Sequence, residues 1–147
     1  MRKIYLDNCC YNGPYDEQSQ ALIVLETEAK LFIQEKVELG VYTLVWSFML
    51  DSENDDNPSV EKREAIKLWK NIADEYCAAS PDVLAVAKEY AKVGLKHKDA
   101  IHLSCAVKHG CDYLITTDKR FSKKNALVTE IEIVNPTTFI LETEDSK

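Results

Sequence analysis

Short apolar runs of strand type alternate with longer stretches of helical spacing along this chain, and no hairpin turn joins any two of the strand-like runs. That alternation constrains the fold more than any other feature. Strands connected through helices pair in parallel, and the sheet they form needs helices on both faces. The expected fold is therefore α/β: a three-layer α/β/α arrangement around a central parallel sheet of about five strands. The strand-like runs are 3–6, 41–46, 77–79, 113–117 and 131–134, and 139–141 adds a last short segment.

Helical spacing covers 17–36, with Leu22, Leu25, Ala29, Phe32 and Ile33 on one face, and again 61–76, with Ile66, Trp69, Ala73 and Tyr76 in register. A helix can open at Ser47, and Asp55-Asp56-Asn57-Pro58 reads as a turn. Ser80-Pro81-Asp82 combines a cap, a proline suited to the first helical position and an early acid, so a helix starts there and stops near Gly94. A further helix over about 99–109 is apolar nearly all round and should be buried. At 147 residues the chain fits one domain over 1–141, followed by a charged tail at 142–147.

No stretch has the length and apolarity of a signal peptide or a membrane span, which makes the cytoplasm the expected location and excludes a membrane partner. Five scattered cysteines without a CxxC pair indicate free thiols in place of a zinc site or disulfide framework. A net charge of −7 argues against binding nucleic acid through bulk electrostatics. Basic residues are nevertheless local: Lys96, His97 and Lys98 precede Asp99, and Lys119, Arg120, Lys123 and Lys124 follow Asp118.

Three aspartates stand at element boundaries. Asp7 follows the first strand, Asp99 opens a helix and Asp118 follows the run at 113–117. Each has a structural explanation, as an Asx turn or a helix cap. If the first strand and that at 113–117 are parallel neighbours, however, Asp7 and Asp118 emerge side by side where such sheets place their sites. Gathered carboxylates repel one another, and a divalent cation makes the gathering tolerable. A fourth acid can come from Asp51 or Glu53, of which only one can face the site. His102 lies one helical turn after Asp99 and shares its face, either as a ligand or as a satisfied core residue. Ser47, Thr116 or Thr117 can position a water or a phosphate oxygen. With no glycine-rich loop and no nucleophile elbow, hydrolysis assisted by a metal ion is the chemistry left.

Tyr5-Leu6-Asp7, the segment from Gly94 to Leu103 containing Lys98-Asp99-Ala100-Ile101-His102, the segment Leu114-Ile115-Thr116-Thr117-Asp118-Lys119-Arg120-Phe121 and the closing run from Ile133 to Phe139 resemble those of PIN-domain proteins. The resemblance spans essentially the whole chain. It implies a parallel five-stranded sheet with the first and fourth strands adjacent at its centre, and a ribonuclease dependent on Mg²⁺ or Mn²⁺. It implies Asp7, Asp99 and Asp118 as metal-binding acids and Glu53, with Asp51 second, as the early acid in the helix after the second strand. It also implies an RNA substrate and, for a toxin of a toxin–antitoxin pair, a partner antitoxin. Trp46, Phe48 and Trp69 are candidates for that interface or for a homodimer. The competing readings are a catalytically inactive scaffold with the same fold and, ranked last, a receiver-type regulatory domain, which needs an acidic pair where this chain has Asp7 alone.

Overall fold

The computed structural model describes residues 1–12 and 21–144. Strand β1 (Lys3–Leu6) occupies the middle of a five-stranded sheet, with β2 (Thr43–Ser47) and then β3 (Glu75–Cys77) on one side and β4 (Tyr113–Ile115) and then β5 (Glu132–Val134) on the other. All pairings are parallel, and Tyr5 stands opposite Val45 of β2 and Leu114 of β4. The chain moves outward from β1 to β3 and then returns to build the other flank. The direction of winding therefore switches between β1 and β4, which leaves a crevice at their C-terminal ends. The two strands expected to be neighbours are neighbours, and the layering is the expected α/β/α.

The helices are α1 (Asn8–Asn12), α2 (Ala21–Glu38), α3 (Phe48–Asp55), α4 (Val60–Ile72), α5 (Pro81–Lys92), α6 (His97–Lys108), α7 (Lys119–Ser122), which runs into a 3₁₀ turn at Lys123–Leu127, and α8 (Pro136–Glu144). Ser47, Ser59 and Ser80 cap α3, α4 and α5 by accepting from the N–H of Leu50, Lys62 and Val83. Each satisfies a donor that the first turn leaves without a partner. Gly94 closes α5 at φ +102°, a left-handed backbone that calls for glycine, whereas a Cβ there would meet only the movable tip of Lys124. Helix α6 buries every residue from Ala100 to Ala106, as its apolar circumference predicts.

Several local expectations give way to tertiary structure. Helix α4 ends at Ile72, and Tyr76 belongs to β3, because backbone pairing with β2 begins where Asp74 N–H donates to Leu44 C=O at 2.9 Å, and Leu44 N–H in turn donates to the Asp74 carboxylate. The third strand is thus Glu75–Cys77, not 77–79. In α2 the buried positions are Thr27, Ala29, Lys30, Ile33, Gln34 and Val37, while Leu22 and Leu25 are exposed. The expected start of that helix at 17–20 and the end of the tail at 145–147 lie outside the described residues. The last segment is helical and runs on to Glu144. Trp46 is buried in the core and offers no interface, contrary to expectation, while Phe48 and Trp69 pack against the core and stay half-buried. All five cysteines are free thiols. Among the described residues no helix is long and apolar enough to cross a membrane.

Candidate active site

The last residue of β1 is registered with Ile115 of β4, so the next residues of both strands leave the sheet together. Asp7 N–H still donates to Ile115 C=O at 3.0 Å, and Thr116 follows directly. Thr116 Oγ1–H donates to Asp7 Oδ2 at 2.7 Å and accepts from Asp118 N–H at 3.1 Å. Its hydroxyl therefore ties two of the predicted acids together and does not face outward to hold a water. The other oxygen, Asp7 Oδ1, accepts from Asn8 N–H at 2.8 Å. Asp118 caps α7, accepting through Oδ1 from Arg120 N–H and Phe121 N–H. The cap and the site are thus compatible roles for one side chain.

Asp99 is not a cap. Helix α6 begins earlier, at His97, with Lys96 in the cap position and no side-chain cap hydrogen bond. Asp99 stands in the first turn, where a negative charge suits the helix dipole. Burial together with the charges of Asp7 and Asp118 pushes its carboxyl up to about 6. Asp99 of α6 thus feels the charges of both Asp7, just after β1, and Asp118, which caps α7.

The choice between Asp51 and Glu53 falls on geometry. Asp51 accepts from Trp46 Nε1–H at 2.8 Å and Tyr76 Oη–H at 2.7 Å and pairs with Lys70 Nζ at 3.2 Å. Burial opposes its charge, but the hydrogen bonds from Tyr76, Trp46 and Lys70 outweigh that and hold its carboxyl below the ordinary range. Asp51 serves to bind α3 to β2, α4 and β3. Glu53, two residues on, turns the other way and meets His102, with Oε1 2.6 Å from Nε2. Asp51→Asn is expected to destabilise the protein by about 1–2 kcal/mol, since charge-assisted bonds weaken. Manganese affinity should not change, which thermal melting and calorimetry would check in parallel.

Ligand atoms of Asp7, Glu53 and His102 all lie within 4.8 Å of one another, and the three residues are buried or half-buried. Burial works against the imidazolium, but the hydrogen bond to Glu53 and the charges of Asp7, Glu53 and Asp99 outweigh it and raise the His102 pKa above its ordinary value. The hard carboxylate oxygens of Asp7 and Glu53 suit Mg²⁺ or Mn²⁺, whereas Asp99 and Asp118, expected with them, fall outside this close group. The residues present fit such an ion.

Asp99 carries a consequence for stability. Its folded pKa of about 6 lies above the unfolded value near 3.9, so the folded state holds the proton more tightly between those limits. The penalty for ionising it is absent below about pH 4, grows as pH rises through 6, and is complete at pH 7. After allowance for solvent screening it amounts to roughly 1 kcal/mol. Asp99→Asn should raise the melting temperature of the metal-free protein by about 2–4 °C at pH 7 and leave it unchanged near pH 4.

Two residues beside the acids were not legible as site residues. Cys9 Sγ lies 3.6 Å from both Asp7 Oδ2 and Thr116 Oγ1 and accepts from Thr117 N–H at 3.4 Å. Tyr5 places its hydroxyl 2.5 Å from His102 Nδ1 and 2.6 Å from Ser47 Oγ. The signal for Tyr5 was its spacing: two residues before Asp7 on a strand, it shares that residue's face. Ser47 is wholly buried and caps α3, so it does not reach a substrate.

Asp99 lines a pocket of about 260 Å³ together with Lys96, Arg120, Lys123 and Lys124 and the apolar Leu95 and Phe121. The basic residues that precede Asp99 and those that follow Asp118 thus meet on one side of the acids. The remaining members of those runs, His97, Lys98 and Lys119, do not line it.

The family model for the PIN domain matches residues 11–127. The solved structure of VapBC2 from Rickettsia felis, bound to a DNA fragment from their promoter, contains a chain of similar fold, with a TM-score of 0.58 and 13% identity over 90% of this chain and 98% of that one. No curated protein matches the chain in sequence.

Proposed function

This chain belongs to the PIN-domain family, and on that premise we propose that it is a Mg²⁺- or Mn²⁺-dependent endoribonuclease that hydrolyses phosphodiester bonds of RNA. What supports this reading is that ligand oxygens of Asp7 and Glu53 lie within 4.8 Å of each other beyond the sheet, and that Asp99 feels the charges of Asp7 and Asp118. When bound, the cation supplies Lewis-acid polarisation of the scissile phosphate and acidifies water for the attack. Asp7, Glu53, Asp99 and Asp118 are the residues that would hold it. Thr116 keeps the Asp7 carboxylate and the Asp118 backbone in place.

The basic pocket beside Asp99 fits the phosphates that flank the cleaved bond. Contacts of this kind set affinity and register without selecting sequence. Single-stranded or looped RNA suits the site best, because its backbone can enter a crevice between two strand ends. Arg120→Ala should weaken binding of every RNA to a similar degree and lower the slope of log affinity against log salt by about 1, as filter binding over a salt series would show.

By analogy with the VapBC2 pair, the partner we propose is a protein antitoxin, the chain being the toxin. Expression of wild type, but not of Asp7→Asn, would then arrest growth unless the antitoxin is supplied.

The test is cleavage of a pool of structured and unstructured RNA with Mn²⁺ or Mg²⁺ against EDTA, for wild type and Asp118→Asn. Asparagine caps a helix as well as aspartate does, so the variant keeps the fold. Metal-dependent cleavage lost in the variant supports the proposal. Absence of cleavage by wild type, with no stabilisation by either metal, would favour the inactive scaffold.

A further inference from the structure

Glu53 is held by a chain of buried polar groups. His102 is fully buried in α6, with Nε2 2.6 Å from Glu53 Oε1 and 3.5 Å from Asp7 Oδ1. On the far side of the ring Nδ1 lies 2.5 Å from Tyr5 Oη, which is 2.6 Å from Ser47 Oγ. Ser47 Oγ accepts from Leu50 N–H at 3.3 Å. Both ends of this chain therefore belong to the same helix: Ser47 caps the first turn of α3, and Glu53 lies near its end. Tyr5 of β1 and His102 of α6 close the loop between them.

The direction of the bonds follows from the donors available. A carboxylate only accepts, so the proton between His102 and Glu53 is on Nε2, whether the ring is neutral or charged. With Nε2 protonated, the ring presents no lone pair toward the acids and cannot itself ligate a cation. Instead it fixes one oxygen of a side chain that would otherwise sample several rotamers, and freezing those rotamers in advance removes an entropic cost from binding.

We propose that His102 is a positioning residue: through its Nε2–H···Oε1 hydrogen bond it holds Glu53 in the orientation that receives the divalent cation, with Tyr5 and Ser47 fixing the ring. The inference rests on Glu53 being part of the cation site, as proposed above. Ligand-orienting partners of this kind typically change metal affinity by roughly 10–100-fold.

The test is Mn²⁺ binding by the full chain, measured by calorimetry and by pulsed electron paramagnetic resonance, with melting in EDTA to verify folding. His102→Leu should weaken Mn²⁺ roughly 10–100-fold. His102→Gln, whose amide can donate in place of Nε2, should restore most of the affinity. Glu53→Gln should weaken binding, and adding His102→Leu to it should cause no further loss, because the histidine acts through the glutamate. Mn²⁺ bound to wild type should show no ¹⁴N coupling from a ligating imidazole. Should His102→Leu fail to fold, Tyr5→Phe compared in the Glu53 and Glu53→Gln backgrounds carries the same test. Additive losses in the double variant, wild-type affinity in His102→Leu, or a directly ligated nitrogen would each overturn the proposal while leaving the cation site intact. Wild-type affinity in Glu53→Gln would instead remove Glu53 from the cation site, and this inference with it.

Discussion

Asp7→Asn is expected to abolish metal-dependent RNA cleavage, lowering the rate by roughly 100- to 1,000-fold, while the protein stays folded. A divalent ion contributes several kcal/mol of charge stabilisation to a phosphoryl transition state, and each ~1.4 kcal/mol is a factor of ten in rate. Asp7 is the acid most firmly placed for this. It is 7% exposed, and both carboxylate oxygens accept hydrogen bonds, from Thr116 Oγ1 and Asn8 N–H. Asparagine keeps the shape, and its amide oxygen can still accept from Asn8. The Thr116 hydroxyl can turn to accept from the new amide. What the variant loses is the charge that faces Asp99 and Glu53, so in EDTA its melting temperature should equal or exceed that of wild type. Single-turnover cleavage and melting, measured on the same preparations, separate this outcome from unfolding. A variant that cleaved RNA at the wild-type rate would take Asp7 out of the reaction.

Phe139→Ala should have the largest effect on stability, about 3–5 kcal/mol. Phe139 is fully buried in α8, and its ring meets Tyr42 and Tyr113 edge-on at centroid distances of 5.3 and 4.9 Å. Such pairs add to the area they bury, and truncation leaves a cavity between three elements. A domain of this size has a total stability of roughly 5–15 kcal/mol, so the loss is a large share of it and should lower the melting temperature by about 10 °C or more. Tyr113 opens β4 and Tyr42 precedes β2, so the cluster stands at the end of the sheet opposite the acids. Below its melting temperature the variant should bind Mn²⁺ as wild type does. A shared loss of stability and cation affinity would mean that the two ends of the sheet are coupled.

The parallel sheet was legible because alternation of period and the lack of hairpin turns leave few topologies, whereas the pairing of β1 with β4 came only with the resemblance to PIN-domain proteins. The serine cap at Ser80 was equally plain, since capping is local chemistry. Failures came where a tertiary contact decides. The spacing over 61–76 is helical throughout, yet the end of that stretch pairs with β2, and no local signal marks the change. The first turns of α2 are apolar all round, so periodicity could not tell that Leu22 and Leu25 face outward and that Thr27 and Lys30 face in. Trp46 looked available for an interface only because an aromatic residue carries no label of depth.

At the candidate site, Asp7, Asp99 and Asp118 were readable as acids at element ends, but their shared location needed the strand order. Asp51 and Glu53 differ by two positions on one helix, and only the surroundings decide between them: Trp46, Lys70 and Tyr76 claim the first, His102 the second. His102 resolves the sequence-level alternative in an unexpected way. It is a satisfied core histidine, as its buried helix implies, and what satisfies it is Glu53, an acid of the proposed site.

The most direct test of the cation site is anomalous scattering from crystals of the full chain soaked in Mn²⁺. A manganese peak is expected within about 2.0–2.6 Å of carboxylate oxygens that include Asp7, in the crevice beyond the ends of β1 and β4. Manganese bound only elsewhere on the surface, with the Asp7, Glu53, Asp99 and Asp118 carboxylates free of metal, would contradict it.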